Sequence, residues 1–149
     1  MDWYFQVISK YAVFNGRARR KEFWMFSLVN FVLVMFLELI QFVLQIGLTR
    51  QAADSDRSMV AGVLLCVAGL LFIYSMGLLI PSLAVTVRRL HDTGRSGWNY
   101  FIGLIPIVGG IILLIYLCED SQPGMNLYGP NPKEAQNLQT QAYPQASYR

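Results

Sequence analysis

The chain has 149 residues, 54% hydrophobic and only 14% charged, with a formal net charge of +3. A soluble domain usually carries nearly twice that charged fraction. The composition therefore excludes an ordinary water-soluble globule and points to a membrane protein, with no nucleic-acid partner expected.

Residues 2–14 read as an interfacial amphipathic helix. Trp3, Tyr4, Val7, Ile8, Tyr11 and Phe14 share one side at helical spacing, and Gln6, Ser9 and Lys10 share the other. Asn15-Gly16 signals a turn. The basic residues Arg17, Arg19, Arg20 and Lys21 then lead into Phe23-Trp24. Basic residues beside aromatic ones mark the headgroup level, and recognition of anionic phospholipid is compatible with that role.

Three apolar runs follow, at about 23–48, 59–87 and 98–118. Each has the roughly 20 residues needed to cross a bilayer. The fold class predicted is all-α, with three transmembrane helices behind the N-terminal interfacial helix. The first run starts too late and is too long for a signal-peptide core of about 7–15 residues.

The first run carries a polar stripe. Ser27, Asn30, Glu38, Gln41 and Gln45 fall within roughly 80° of arc at about 100° per residue. A carboxyl at Glu38's depth should be paired or protonated. The stripe suits hydrogen bonding to a neighbouring helix or copy, or else an ion or proton step in a transporter or channel subunit. In the second run Gly62, Cys66, Gly69 and Gly77 share a face. Such a face permits close helix approach, either to the polar stripe or to a second copy. Pro81 should bend this helix. Cys66 and Cys118 read as free thiols rather than a disulfide or metal ligands.

The loop VRRLHDTGRSGW (87–98) concentrates charge. One histidine and one aspartate are too few for a metal site. His91, Asp92 and Ser96 lack the geometry of a catalytic set, so no catalytic residue and no cofactor is assigned; an enzyme would have to depend on His91. Arg88 and Arg89 are spaced to pair with Asp92 along a helix, Gly94 suits a left-handed helix stop, and Ser96 suits an N-cap. Arg88, Arg89 and Arg95 beside a helix start also form a candidate phosphate site for a lipid headgroup.

Residues 119–133 are rich in turn formers, and Leu127 and Tyr128 are expected to pack back on the helix ends or the membrane surface. Residues 134–149 read as a disordered tail behind a single membrane domain, 1–133. Lys10, Arg17, Arg19, Arg20, Lys21, Arg88, Arg89 and Arg95 would lie on one side of three spans. Arg50, Arg57, Lys133 and Arg149 would lie on the other. The excess places the N-terminus in the cytoplasm and the C-terminus outside.

The stretches GRARRKEFW (16–24), RRLHDTGRSGW (88–98), IPIVGGIILL (105–114) and PGMNLYGPNP (123–132) occur in this order. On them the chain resembles the bacterial inner-membrane family known as domain of unknown function 805, over about residues 1–133. It looks close to the small enterobacterial members, departing from them in a longer outer loop and a Gln-rich tail. The resemblance implies a small polytopic inner-membrane protein and supplies neither an activity nor catalytic residues. The leading expectation is a non-enzymatic component that associates with itself, with another membrane protein or with anionic lipid.

Overall fold

A computed structural model describes residues 2–51 and 57–142. The described residues are helical: α1 (Asp2–Ser9), α2 (Arg20–Gln51), α3 (Arg57–Asp92), a 3-10 helix (Gly97–Leu104), α4 (Val108–Cys118) and α5 (Pro132–Ala142). The chain forms two compact units. One joins Met1–Phe26 to Pro81–Arg149, and the other is Ser27–Ile80.

α2 and α3 are both long and apolar enough to cross a membrane. Their apolar side chains stay uncovered: Phe31 is 64% exposed, Leu65 77% and Leu70 69%. A soluble protein does not leave so much contiguous apolar surface open to water. α3 runs through Pro81 without a break in its assignment.

The N-terminal helix is shorter than the 2–14 read from periodicity. It ends at Ser9, whose hydroxyl donates back to the Gln6 carbonyl (3.0 Å), and the chain turns from Lys10. Val7 is fully buried and Tyr4 stacks on Phe26 at 5.5 Å, so α1 docks on the start of α2.

The third apolar run is not one helix, which corrects the expected single crossing. It breaks at Ile105, and the 3-10 helix and α4 pack against each other as a hairpin. Ile107 adopts φ 65° and ψ −60°, and the Val108 N–H reaches the Pro106 carbonyl at 2.7 Å. This is a γ-turn, a strained geometry for a β-branched residue. Eight 3-10 residues rise roughly 16 Å and eleven α-helical residues about the same, each near half of a ~30 Å hydrocarbon core. Both ends of the hairpin meet at one place. Arg95, before the first arm, pairs with the Glu119 carboxylate after the second, and Arg89 donates to the Leu117 and Glu119 carbonyls. The start and the end of the run are therefore brought together.

The tail differs as well. Asn131 accepts from the Lys133 N–H (3.0 Å), Pro132 takes the first helical position, and Glu134 accepts from Asn131. These are helix-start signals, and they open α5 where composition predicted disorder. Residues 143–149 of the expected tail lie outside the described residues.

The hairpin depends on Gly109, where a Cβ would lie 1.9 Å from the Ile102 carbonyl oxygen, whereas at Gly110 it would meet nothing within 4 Å. Gly109→Ala should therefore cost at least about 1–3 kcal/mol, and Gly110→Ala little. Thermal unfolding in detergent checks this; equal midpoints for the two variants would contradict the hairpin.

Candidate functional site

The last turn of α3 presents carbonyls that need donors. Gly94, at φ 77°, turns the chain so that its N–H reaches the His91 carbonyl (3.0 Å) and the Arg95 N–H reaches that of Leu90 (2.9 Å). This is the Schellman closure expected of a left-handed glycine. Ser96 then caps the 3-10 helix, accepting from the Trp98 N–H at 3.4 Å.

Around this helix end lies a buried charge network. Asp92, fully buried, receives Arg17 Nε on one carboxylate oxygen (2.9 Å). Arg89 and the Ser121 hydroxyl donate to the other, each at 2.5 Å. Arg17 also donates to the backbone carbonyls of Asp92, Gln122, Gly124 and Gly129. Arg89 uses its remaining nitrogens on the carbonyls of Leu117 and Glu119. Two guanidinium groups thus share one carboxylate, and six carbonyl dipoles, with the negative end of α3 among them, offset the excess positive charge. The Gln122 N–H caps the Asp92 carbonyl (2.9 Å) and the Asn126 amide caps that of His91 (2.9 Å). The turn after α1, the end of α3 and the segment 117–129 are held as one piece.

Arg88 departs from the expected pairing with Asp92. It is 1% exposed and bonds Glu22 at 3.1 Å, leaving Nη2 buried without a partner among the described residues. The Ala18 N–H reaches the Arg88 carbonyl (3.0 Å), drawing the start of α2 onto the same end of α3. His91 has the structural role that its sequence context does not reveal. Its ring stacks on Tyr128 (3.7 Å, 1°), and Nδ1 lies 3.3 Å from the Gly16 carbonyl. Tyr128 packs back as expected, whereas Leu127 is 96% exposed.

The candidate phosphate residues therefore divide. Arg17, Arg88 and Arg89 are buried and bonded within the protein, which corrects their reading as headgroup ligands. Lys21 is exposed and Arg19 half-buried. Arg20 pairs with Asp120 at 3.1 Å while remaining substantially exposed, and Arg95 lies over the Tyr116 ring at 3.9 Å. Lys133 donates to Asp120 and, with the Ser121 N–H and Arg20, lowers that carboxyl to a pKa of about 2. Among the described residues no three His, Cys, Asp or Glu side chains gather as a metal group.

In the unit Ser27–Ile80 the polar stripe is only partly covered. Asn30 is buried and Gln41 half-buried, but Glu38 and Gln45 are exposed. A Cβ on Gly62, Gly69 or Gly77 would meet nothing within 4 Å, so the glycine face is not closed on the stripe. Cys66, on the same face, is exposed and free, as is Cys118. Glu22, Ser121 and Gln122 are members of the site that local sequence patterns do not single out. The lone acid inside GRARRKEFW is the one available signal, since an acid among four basic residues implies a basic partner elsewhere.

Uncovered apolar helices joined to a buried polar cluster define a small helical integral membrane protein. The family model described as "Protein of unknown function (DUF805)" matches residues 11–130, and the chain belongs to that family. It is 41% identical over 133 residues to the inner membrane protein YhaH of Escherichia coli K12, covering 89% of this chain and 98% of the relative. It is 35% identical over 137 residues to the inner membrane protein YhaI of the same strain, covering 92% and 100%. No solved structure matches. The chain is an inner-membrane protein.

Asp92→Asn leaves two buried guanidiniums sharing a weakened acceptor, and should cost about 3–5 kcal/mol. Arg95→Gln removes a surface pair worth at most about 1 kcal/mol. Chemical denaturation of the two variants side by side checks the ranking, and a milder loss for Asp92→Asn would contradict the network.

Proposed function

We propose that the protein is a two-span membrane component that works by associating with a second copy or another membrane protein. α2 and α3 cross the bilayer, and the 3-10/α4 hairpin enters and returns on the cytoplasmic side. Both ends of the chain then lie in the cytoplasm together. The bonds from Arg17 to residues 122–129 support this arrangement. So does charge: ten of the twelve Lys and Arg fall on the inner side, leaving only Arg50 and Arg57 outside. α1 lies in the interface with Phe5 and Ile8 outward. Arg19, Arg20, Lys21 and Arg95 meet anionic headgroups at that level.

The observation that carries association is Glu38. It lies ten residues, or about 15 Å, inside the outer end of its apolar run. There it is exposed, with no hydrogen bond or ion pair among the described residues. A carboxyl in hydrocarbon costs several kcal/mol unless it finds a partner. The open glycine face of α3 offers a surface for close approach by another helix.

Glu38→Leu is expected to abolish most crosslinked dimer or co-purified partner in native membranes, and an unchanged oligomer would overturn the association reading. For topology, a fluorescent reporter fused after Lys133 should be bright and an alkaline phosphatase fusion there inactive. The reverse pair of results would place the C-terminus outside.

A further inference from the structure

Beside the charge network lies an open groove of about 460 Å³, within the range of small-ligand sites. Its walls are aromatic: Phe14, Trp98, Tyr100, Phe101 and Tyr128, with Leu83 and Val87 on the α3 side. No Lys, Arg, Asp or Glu lines it, so nothing there would neutralise a charged headgroup.

His91 supplies this wall with a ring-nitrogen acceptor, beside the hydroxyls of Ser96, Tyr100 and Tyr128. His91 is 8% exposed, and Nδ1 faces the Gly16 carbonyl at 3.3 Å. A carbonyl only accepts, so Nδ1 carries the hydrogen and Nε2 of the neutral ring is left as an acceptor. The described residues make no other hydrogen bond to the ring. Nε2 is turned toward Gly97, 3.4 Å from where a Cβ would stand, and both residues line the groove. Tyr128 covers one face of the imidazole and the Gly16 bond fixes its orientation. Phe101 and Trp98 are 51% and 77% exposed, which leaves the approach open to an apolar ligand.

We propose that this groove binds the neutral, flat, hydroxyl-bearing ring of a membrane-soluble phenol or hydroquinone, whose hydroxyl donates to His91 Nε2. Aromatic walls favour a ring over a flexible acyl chain. The missing countercharge excludes an anionic headgroup, and the acceptor demands a donor. A quinone carbonyl has no hydrogen to give His91 Nε2, whereas the hydroxyl of a phenol or hydroquinone does. The groove shares no residue with the Glu38 stripe, and the inference stands independently of self-association.

The full chain in nanodiscs should bind 4-decylphenol saturably above the partitioning into empty discs. The methyl ether of 4-decylphenol should bind about tenfold more weakly, the loss expected when one hydrogen bond in a dry site goes unmade. His91→Phe keeps the stack on Tyr128 and should remove the difference between phenol and ether. If that variant fails to fold, Leu83→Trp, which fills the groove away from the Gly16 bond, should abolish saturable binding of the phenol. Equal affinity for phenol and ether in the wild-type protein, or phenol binding undiminished in Leu83→Trp, would overturn the proposal. Displacement of the phenol by equimolar dioleoylglycerol would assign the acceptor to a lipid hydroxyl and overturn the ring specificity.

Discussion

The sharing of one buried carboxylate, Asp92, between Arg17 and Arg89 is the interaction on which the rest of the polar unit depends. Ions removed from water lose several kcal/mol each, and a single ion pair seldom recovers that loss. Here the recovery comes from saturation. All five Arg17 N–H groups are spoken for, by the Asp92 carboxylate and four backbone carbonyls. Those carbonyls belong to the end of α3 and to a turn-rich segment with no regular partners of its own. The network satisfies three demands together: the orphan carbonyls of a helix end, the irregular backbone of 117–129, and the guanidiniums themselves.

The network also explains why the hairpin turns back. Leu117 and Glu119 give their carbonyls to Arg89, a residue only eight positions before the 3-10 helix begins. That tie returns the end of α4 to the place where the hairpin started. The strained turn at Ile107 and the backbone-tight contact at Gly109 are the local means of meeting it. Strain of this kind persists where the surroundings over-determine the conformation, as they do with both arms anchored at Arg89 and Arg95.

Legibility in the sequence followed the range of the interaction. The long apolar runs of α2 and α3, the stop at Gly94, the cap at Ser96 and the i,i+3 pair of Arg89 with Asp92 are all local and could be read directly. The hairpin could not, because 98–118 has the length and hydropathy of a crossing. Pro106 and the Gly109-Gly110 pair are its only local signs, and glycine and proline are ordinary in membrane helices. Arg17 and Asp92 are 75 residues apart, and Arg88 and Glu22 are 66 apart. Charge pairing over such separations leaves no periodicity. The phosphate reading of Arg17, Arg88 and Arg89 failed for this reason: their number was visible, but the carbonyls and carboxylates that occupy them were not. At α5 the Gln-rich composition hid the start signal in Asn131, Pro132 and Glu134.

The central claim is that Arg17 and Asp92 act as one unit joining the N-terminal turn to the C-terminal segment. A double-mutant cycle on unfolding free energy, with Arg17→Gln, Asp92→Asn and the double variant, measures it most directly. Coupled residues in one buried network show interaction energies of about 0.5–3 kcal/mol. The account expects a value in the upper half of that range, with the double variant barely less stable than the worse single one. Additive losses, with no coupling beyond about 0.3 kcal/mol, would contradict it.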